Sequence, residues 1–336
     1  MQVSDVKNIG VIGAGNMGHQ ISTLCALQGY KVVCSDVSDE VLQKAEAFVD
    51  KYLPGRVEKG KLTEEQAKQA RENIRFTNSQ EEAVKDADYV IEAAIEVLDV
   101  KRKIFADLDR LAPSHAILAT NSSFIVSSKI ADATNRPDKV CNLHFFNPAL
   151  VMKLVEVVQG AHTSDETVQV SMDLCKNLGK VPVHLKKEVD GFLLNRIFKA
   201  INHEALWLLD MGVASVEDID KACVYGAGHP MGPFRLNDLT GIDLAYTMAM
   251  ETFMAFSREL WLMIRLAVIP FSASSITARP DSWASLSLSA DTAGAVPPPG
   301  RVIPMASAAQ HMLLAVPRKE QDPQPGATRF SSSSNC

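Results

Sequence analysis

The stretch NIGVIGAGNMG, residues 8–18, constrains the fold more than any other part of this chain. NIGVIG (8–13) is a short apolar run of the kind that makes a buried parallel strand. GAGNMG (13–18) is a GxGxxG motif opening a helical stretch that reaches Leu27, and KVVCSD (31–36) is a second strand ending on an acid, Asp36. Asp36 stands eighteen residues past Gly18, so the motif has the full context of a dinucleotide site, whereas GxGxxG alone is weak. Gly13 permits the tight turn, Gly15 lets backbone approach a pyrophosphate, and Gly18 lets helix and strand pack closely. The helix start offers amides and dipole to the phosphates. Asp36 can bond both ribose hydroxyls and would repel a 2′-phosphate; Asp39 and Glu40 follow it, and no arginine does. The cofactor expected is therefore NAD rather than NADP, with Gly13, Gly15, Asn16, Met17, Gly18 and Asp36 as candidate binding residues. A glycine turn without a ligand would not require the acid at the end of the second strand.

The pattern continues along the chain. IRFTN (74–78), YVIEAA (89–94), AILAT (116–120), VCNLHF (140–145), KLVEVV (153–158) and VPVHLK (181–186) read as strands. Helical stretches lie at 39–59, after the capping box Thr63-Glu-Glu-Gln66, after Ser79, at 97–112 and from about Ser164 to Leu178. This alternation predicts an α/β fold, a Rossmann-type doubly wound sheet over residues 1–186. From 187 to 256 the pattern turns all-helical: FLLNRIFKAINHEALWLLDMG reads as one long helix, Ser215 starts another, and GPFRLNDLTGIDLAYTMAMETFMAF (232–256) holds a third or more. Residues 257–336 differ again. Nine of the sixteen prolines fall at 270 or later, and Lys319 is the one lysine after Phe256. PPPG and SSSSN are linker compositions, so this tail is expected to be largely disordered or loosely packed, apart from one plausible helix at RELWLMIRLAVI (258–269), with the first proteolytic cuts beyond Pro270.

Several function classes are excluded on composition. A net charge of −6 gives no general support for a nucleic-acid partner. The six cysteines are scattered with no CxxC, which reads as reduced thiols in a cytoplasmic protein and not as a disulfide frame or a metal site. The first strand starts at Asn8, leaving no room for a signal peptide before it, and LWLMIRLAVIP (260–270) is too short to span a bilayer. No membrane partner is expected.

His144 and Glu156 each stand inside an apolar run, in VCNLHF and KLVEVV. A carboxylate in such a strand is costly unless paired, and His144 is the nearest candidate partner. A satisfied core histidine is the common alternative for a histidine taken singly. Beside a carboxylate, a neutral imidazole can take a proton from a hydroxyl while the carboxylate stabilises the imidazolium. Asn121, Ser123, His144 and Asn147 all fall at the carboxyl ends of strands, where open α/β sheets bind ligands. Serine and histidine here could suggest a hydrolase, but there is no GxSxG elbow, and a dinucleotide site fits hydride transfer.

GAGNMG with Asp36, EAAIEVLDVK (92–101), TNSSF (120–124), LHFFNPALVMKLVEVV (143–158), DGFLLNR (190–196) and YGAGHPMGPFRLNDLTGID (225–243) together resemble the 3-hydroxyacyl-CoA dehydrogenases, especially the bacterial 3-hydroxybutyryl-CoA dehydrogenases, over roughly residues 5 to 255. The resemblance implies oxidation of an (S)-3-hydroxyacyl-CoA with NAD, and the reverse reduction, in fatty-acid or butanoate metabolism. It implies that His144 is the general base and Glu156 its partner, and that Ser123 and Asn195 hold the substrate oxygen. It puts Glu96, Lys101, Ser123 and Asn147 in the NAD site, and Lys59, with Ser123, on the acyl-CoA substrate. It also implies a dimer formed through the helical domain.

The chain departs from the family after Phe256: the closing helices and a GRKxGKGFY-like motif have no counterpart, and the loss of lysine, periodicity and motif together points to an out-of-frame or otherwise aberrant end. A divergent native extension is the alternative. Two rival functions share the architecture. A 3-hydroxyisobutyrate type of dehydrogenase would use a catalytic lysine, for which Lys199, one turn after Asn195, is available. A non-catalytic NAD-binding relative of the crystallin kind is the other.

Overall fold

The structure, a computed structural model, describes residues 1–240. The expectations for the tail, and for the helices beyond Thr240, concern residues outside that range. The described chain divides into two compact units, Met1–Ile201 and a second beginning at Asn202. Matches of sequence expectation to structure are close in the first unit. Its strands are β1 (Asn8–Ile12), β2 (Lys31–Ser35), β3 (Ile74–Thr77), β4 (Tyr89–Glu92), β5 (Ile117–Thr120), β6 (Val140–Phe145), β7 (Leu154–Val158) and β8 (Val181–Leu185). They form one sheet in the order β3-β2-β1-β4-β5-β6-β7-β8.

Helices α1 (Asn16–Leu27), α2 (Asp39–Glu58), α3 (Glu64–Glu72), α4 (Gln80–Val84), α5 (Leu98–Leu111) and α6 (Asp165–Asn177) fill the crossovers. Thr63 and Gln66 close the expected capping box at α3, at 3.1 and 2.9 Å. Apolar positions on α1, α2, α3 and α6 cover one face of the sheet, while Ala83 and Val84 of α4 and Phe105 and Leu108 of α5 cover the other. The central strands β4, β5 and β6 are buried on both faces, which is why they read as nearly continuous apolar runs.

All neighbouring strands are parallel except β6 and β7, which pair antiparallel. The alternation of elements did not announce this reversal, although its cause is in the sequence. A parallel return needs a crossover of about a dozen residues or more, and only 146–153 separate the two strands. The chain turns back instead. The register then sets His144 directly opposite Glu156.

Two boundaries also move. Strand β4 stops at Glu92 rather than Ala94, because the Glu92 side chain accepts the Ala94 N–H at 2.7 Å and takes that amide out of the ladder. The long helix, α7 (Leu194–Asp210), starts two residues after Phe192, which holds a positive φ of 51° and so ends the preceding turn. The division between units falls within α7. In the second unit, Ala205 of α7, Ile219 of α8 (Val216–Lys221) and Phe234 of α9 (Pro233–Thr240) form a small core, with a π-helical turn over Ala222–Gly226. Asp220 accepts the Phe234 and Arg235 amides at 2.9 and 3.0 Å, which fixes the start of α9. Among the described residues no helix is long and apolar enough to cross a membrane.

Candidate active site

The glycine turn between β1 and α1 has the shape its motif requires. Gly13 sits at a φ of +97°, and a Cβ there would lie 2.6 Å from the Ala93 carbonyl oxygen. A Cβ on Gly18 would lie 1.7 Å from the Gly13 carbonyl oxygen, so helix and strand close only around glycine. Gly15 is the opposite case: nothing stands within 4 Å of where its Cβ would be. That open space lies at the N-cap of α1, where free amides and dipole favour phosphate. The chain's residues therefore fit a dinucleotide pyrophosphate. Asn16 is exposed beside it, Met17 is half-buried against the core, and Asn16 Nδ2 donates to Asn147 Oδ1 at 3.1 Å.

Asp36 has a second task that the sequence did not reveal. Its Oδ2 accepts the Ala14 amide of the glycine turn at 2.8 Å, and its Oδ1 accepts the Ser38 amide at 3.0 Å. The acid thus pins the turn while presenting its remaining lone pairs outward. Asp36→Ala is expected to weaken NADH binding and to narrow the preference over NADPH, as read by fluorescence titration of both cofactors. Tighter NADPH than NADH binding by the unaltered protein would contradict this role.

His144 lies near the end of β6 and Glu156 in the middle of β7. His144 Nδ1 is 2.9 Å from Glu156 Oε2, with both side chains almost wholly removed from solvent. Glu156 Oε1 accepts the backbone N–H groups of Leu193 and Leu194 at 3.1 and 2.8 Å. Donors therefore converge on both oxygens, so Nδ1 carries the proton and Nε2 presents a lone pair. That lone pair faces Ser123 Oγ at 3.1 Å. Phe146 and Phe192 pack on the imidazole with ring centroids 4.4 and 5.3 Å away. The amides that Glu156 receives belong to the entry of α7, whose first turn carries Asn195, half-buried. One carboxylate therefore aligns the histidine and tethers the segment that leads to Asn195.

Ser123 stands in the turn after β5, and that turn is held on two sides. Asn142 Oδ1 accepts the Ser127 amide at 2.7 Å, and Asn142 Nδ2 donates to the Ile125 carbonyl at 2.9 Å. On the other side Glu96 Oε1 accepts the Ser122 hydroxyl and the amides of Phe124 and Ile125 at 3.2 and 3.3 Å. Lys101 is buried, with Nζ 2.7 and 3.0 Å from the two oxygens of Glu92 and 3.4 Å from Glu96 Oε2. Asn121 Oδ1 accepts the Phe145 amide at 2.9 Å, joining the ends of β5 and β6. Glu92, Thr120 and Asn142 escaped the sequence reading. Glu92 had a usable signal, a carboxylate inside the apolar run YVIEAA, the same signal that singled out Glu156.

Lys59 caps the C-terminal end of α2 and is exposed, apart from the histidine cluster in sequence and in secondary structure. Lys199 is half-buried on α7, one turn past Asn195. Among the described residues no group of three or more His, Cys, Asp or Glu side chains is placed to hold a metal ion.

The chain is similar to known proteins in sequence and in fold. A family model described as "3-hydroxyacyl-CoA dehydrogenase, NAD binding domain" matches residues 8–189, and one described as "3-hydroxyacyl-CoA dehydrogenase, C-terminal domain" matches residues 191–265. A 3-hydroxybutyryl-CoA dehydrogenase of Clostridioides difficile is 41% identical over 236 residues, covering 70% of this chain and 83% of that protein. The mitochondrial hydroxyacyl-coenzyme A dehydrogenase of Homo sapiens is 40% identical over 244 residues, covering 71% of this chain and 77% of that one. Among solved structures, the (S)-3-hydroxybutyryl-CoA dehydrogenase of Ralstonia eutropha superposes with a TM-score of 0.70 at 40% identity, over 75% of this chain and 89% of that chain. FadB2 of M. tuberculosis superposes with a TM-score of 0.71 at 36% identity, over 75% and 88%. With more than half of its length matched by the NAD-binding model alone, and the cradle that model implies present in its first unit, this chain belongs to the 3-hydroxyacyl-CoA dehydrogenase family and carries that family's NAD binding domain.

Proposed function

We propose that this protein is an NAD-dependent oxidoreductase that converts (S)-3-hydroxyacyl-CoA, most directly 3-hydroxybutyryl-CoA, to the 3-oxoacyl-CoA, and reduces acetoacetyl-CoA in reverse. The observation that carries the reading is the line from buried Glu156 and His144 to half-buried Ser123, joined at 2.9 and 3.1 Å where β5 and β6 end. The relatives that match most of the chain bear the names of enzymes for this reaction.

The first unit would hold NAD at Gly13, Gly15, Gly18 and Asp36, with Glu96, Lys101, Ser123 and Asn147 toward its nicotinamide end. Bound NAD supplies the acceptor for the hydride that leaves C3. The remaining work belongs to side chains. His144 Nε2 takes the proton of the 3-hydroxyl, while Nδ1–H stays on Glu156, whose charge stabilises the imidazolium. Ser123 and Asn195 hold the 3-oxygen. Phe146 and Phe192 keep water from the imidazole. In the reduction His144 returns its proton to the oxygen on C3. Lys59, exposed at the end of α2, is the residue assigned to the phosphates of CoA.

The cytoplasm is the compartment we assign. In support, the five cysteines among the described residues are free thiols, and burial pushes Cys25 and Cys34 up to about 12 and Cys141 up to about 11. Thiols held this way are inert core groups suited to a reducing setting.

The test is NADH oxidation with acetoacetyl-CoA against free acetoacetate. Turnover of the thioester with little or none of the free acid is expected. Preference for the free acid would favour a lysine-dependent 3-hydroxyacid dehydrogenase. NADH binding with no turnover of either would identify a non-catalytic relative.

A further inference from the structure

The buried ion pair between Glu92 and Lys101 has no part in the proton transfer, yet it lies between the two halves of the site. Glu92 is the last residue of β4 and is fully buried. Its Oε1 accepts the Ala94 amide and Lys101 Nζ, both at 2.7 Å, and its Oε2 accepts Lys101 Nζ at 3.0 Å and Thr120 Oγ1 at 2.6 Å. Lys101 Nζ also reaches the Ala94 carbonyl and Glu96 Oε2, both at 3.4 Å. Glu96 in turn holds the Ser122 hydroxyl and the Phe124 and Ile125 amides. A continuous line of polar contacts therefore runs from Glu92 through Lys101 and Glu96 to the turn that carries Ser123.

Stability does not explain the pair. Replacing a buried ion pair with apolar groups of similar size is commonly neutral or stabilising. What a buried network of this kind adds is a defined geometry, provided every member is satisfied, and here both carboxylate oxygens of Glu92 have two donors each. The turn it serves has no regular secondary structure of its own between β5 and the 3-10 turn at Ser127–Lys129. Without outside support, the 3.1 Å contact between Ser123 Oγ and His144 Nε2 would have little to fix it.

We propose that Glu92 is a positioning residue, which acts through Lys101 and Glu96 to hold Ser123 against His144. The proposal rests on the enzymatic reading above.

The variant is Glu92→Gln, which keeps the shape and removes the charge. Turnover of acetoacetyl-CoA should fall on the order of a hundredfold, since a misplacement of about 1 Å has that scale of effect. Turnover is compared at saturating NADH, because Lys101 and Glu96 of the network also stand in the proposed NAD site. The deciding measurement is a double-mutant cycle. If Glu92 acts through Ser123, Glu92→Gln should cost less than about threefold in a Ser123→Ala background. Equal losses in both backgrounds, or near-normal turnover of Glu92→Gln, would overturn the proposal. Should Glu92→Gln fail to fold, Glu92→Gln with Lys101→Met removes both charges together, and full turnover of that protein would overturn the proposal as well. A readout independent of activity is the imidazole NMR resonance of His144 Nε2, assigned with His144→Gln. Ser123→Ala and Glu92→Gln should shift it in the same direction. An unmoved resonance in Glu92→Gln sinks the positioning role whatever the turnover, whereas a shift in Glu92→Gln together with no turnover by the unaltered protein would sink only the enzymatic reading.

Discussion

Replacing His144 with glutamine is expected to cut kcat by roughly 10²–10⁴ while NADH still binds, because a positioned general base contributes about that much. The geometry makes the expectation sharp. His144 Nε2 is the one basic ring nitrogen aimed at the Ser123 hydroxyl, and its partner nitrogen is already committed to Glu156. Glutamine fills much of the same volume between Phe146 and Phe192, so the fold should survive. Steady-state kinetics with acetoacetyl-CoA, paired with an NADH titration, provides the check. Near-normal turnover would remove His144 from the chemistry. Loss of NADH binding along with turnover would point to a collapsed site.

Glu156→Gln should be nearly as damaging, for a reason peculiar to this carboxylate. It accepts on both oxygens, from His144 on one side and from the Leu193 and Leu194 amides on the other. An amide has one acceptor oxygen and one donor nitrogen. Turned toward the backbone, glutamine presents its NH2 to the histidine and favours the wrong tautomer. Turned toward the histidine, it sets a donor against two amides at the entry of α7. Loss of tautomer control alone can cost about 10⁴ in kcat in a related arrangement. A buried donor left without an acceptor costs about 1–3 kcal/mol. Both kcat and the urea midpoint are therefore expected to fall. A protein with an intact midpoint and normal kcat would show that the second oxygen is idle. A protein that loses its circular dichroism signal altogether would mark the pair as mainly structural.

The sequence was most legible where a residue type has few alternatives. Gly13 and Gly18 stand where any Cβ would collide with backbone, and Thr63 and Gln66 close a cap that only such side chains can close. His144 and Glu156 were legible because polar groups in apolar strands demand partners. The antiparallel return of β7 was missed because periodicity reports that a strand exists and not the direction it runs; the short 146–153 connection carried that information. The second bond set of Glu156, to the amides of Leu193 and Leu194, could not be read at all. It depends on where α7 begins, and Phe192 at positive φ is a local conformation that no apolar pattern specifies. Glu92 was readable by the logic applied to Glu156, yet its link to Ser123 passes through Lys101 and Glu96, a route that only the fold assembles.

The antiparallel pairing of β6 and β7 separates what can vary in this protein from what cannot. His144 and Glu156 face each other because of the ladder register, and a slip of one residue would send one of them to the opposite face of the sheet. The 146–153 connection takes no part in that register beyond joining the strands. Apart from Phe146, which packs on the imidazole, and Asn147, which bonds Asn16 of the glycine turn, its side chains can drift under selection, reshaping the approach to the histidine while the His144–Glu156 pairing is inherited unchanged. In a lineage of such chains, substrate range and chemistry would therefore evolve on separate clocks, the first in the connection and the second in the ladder.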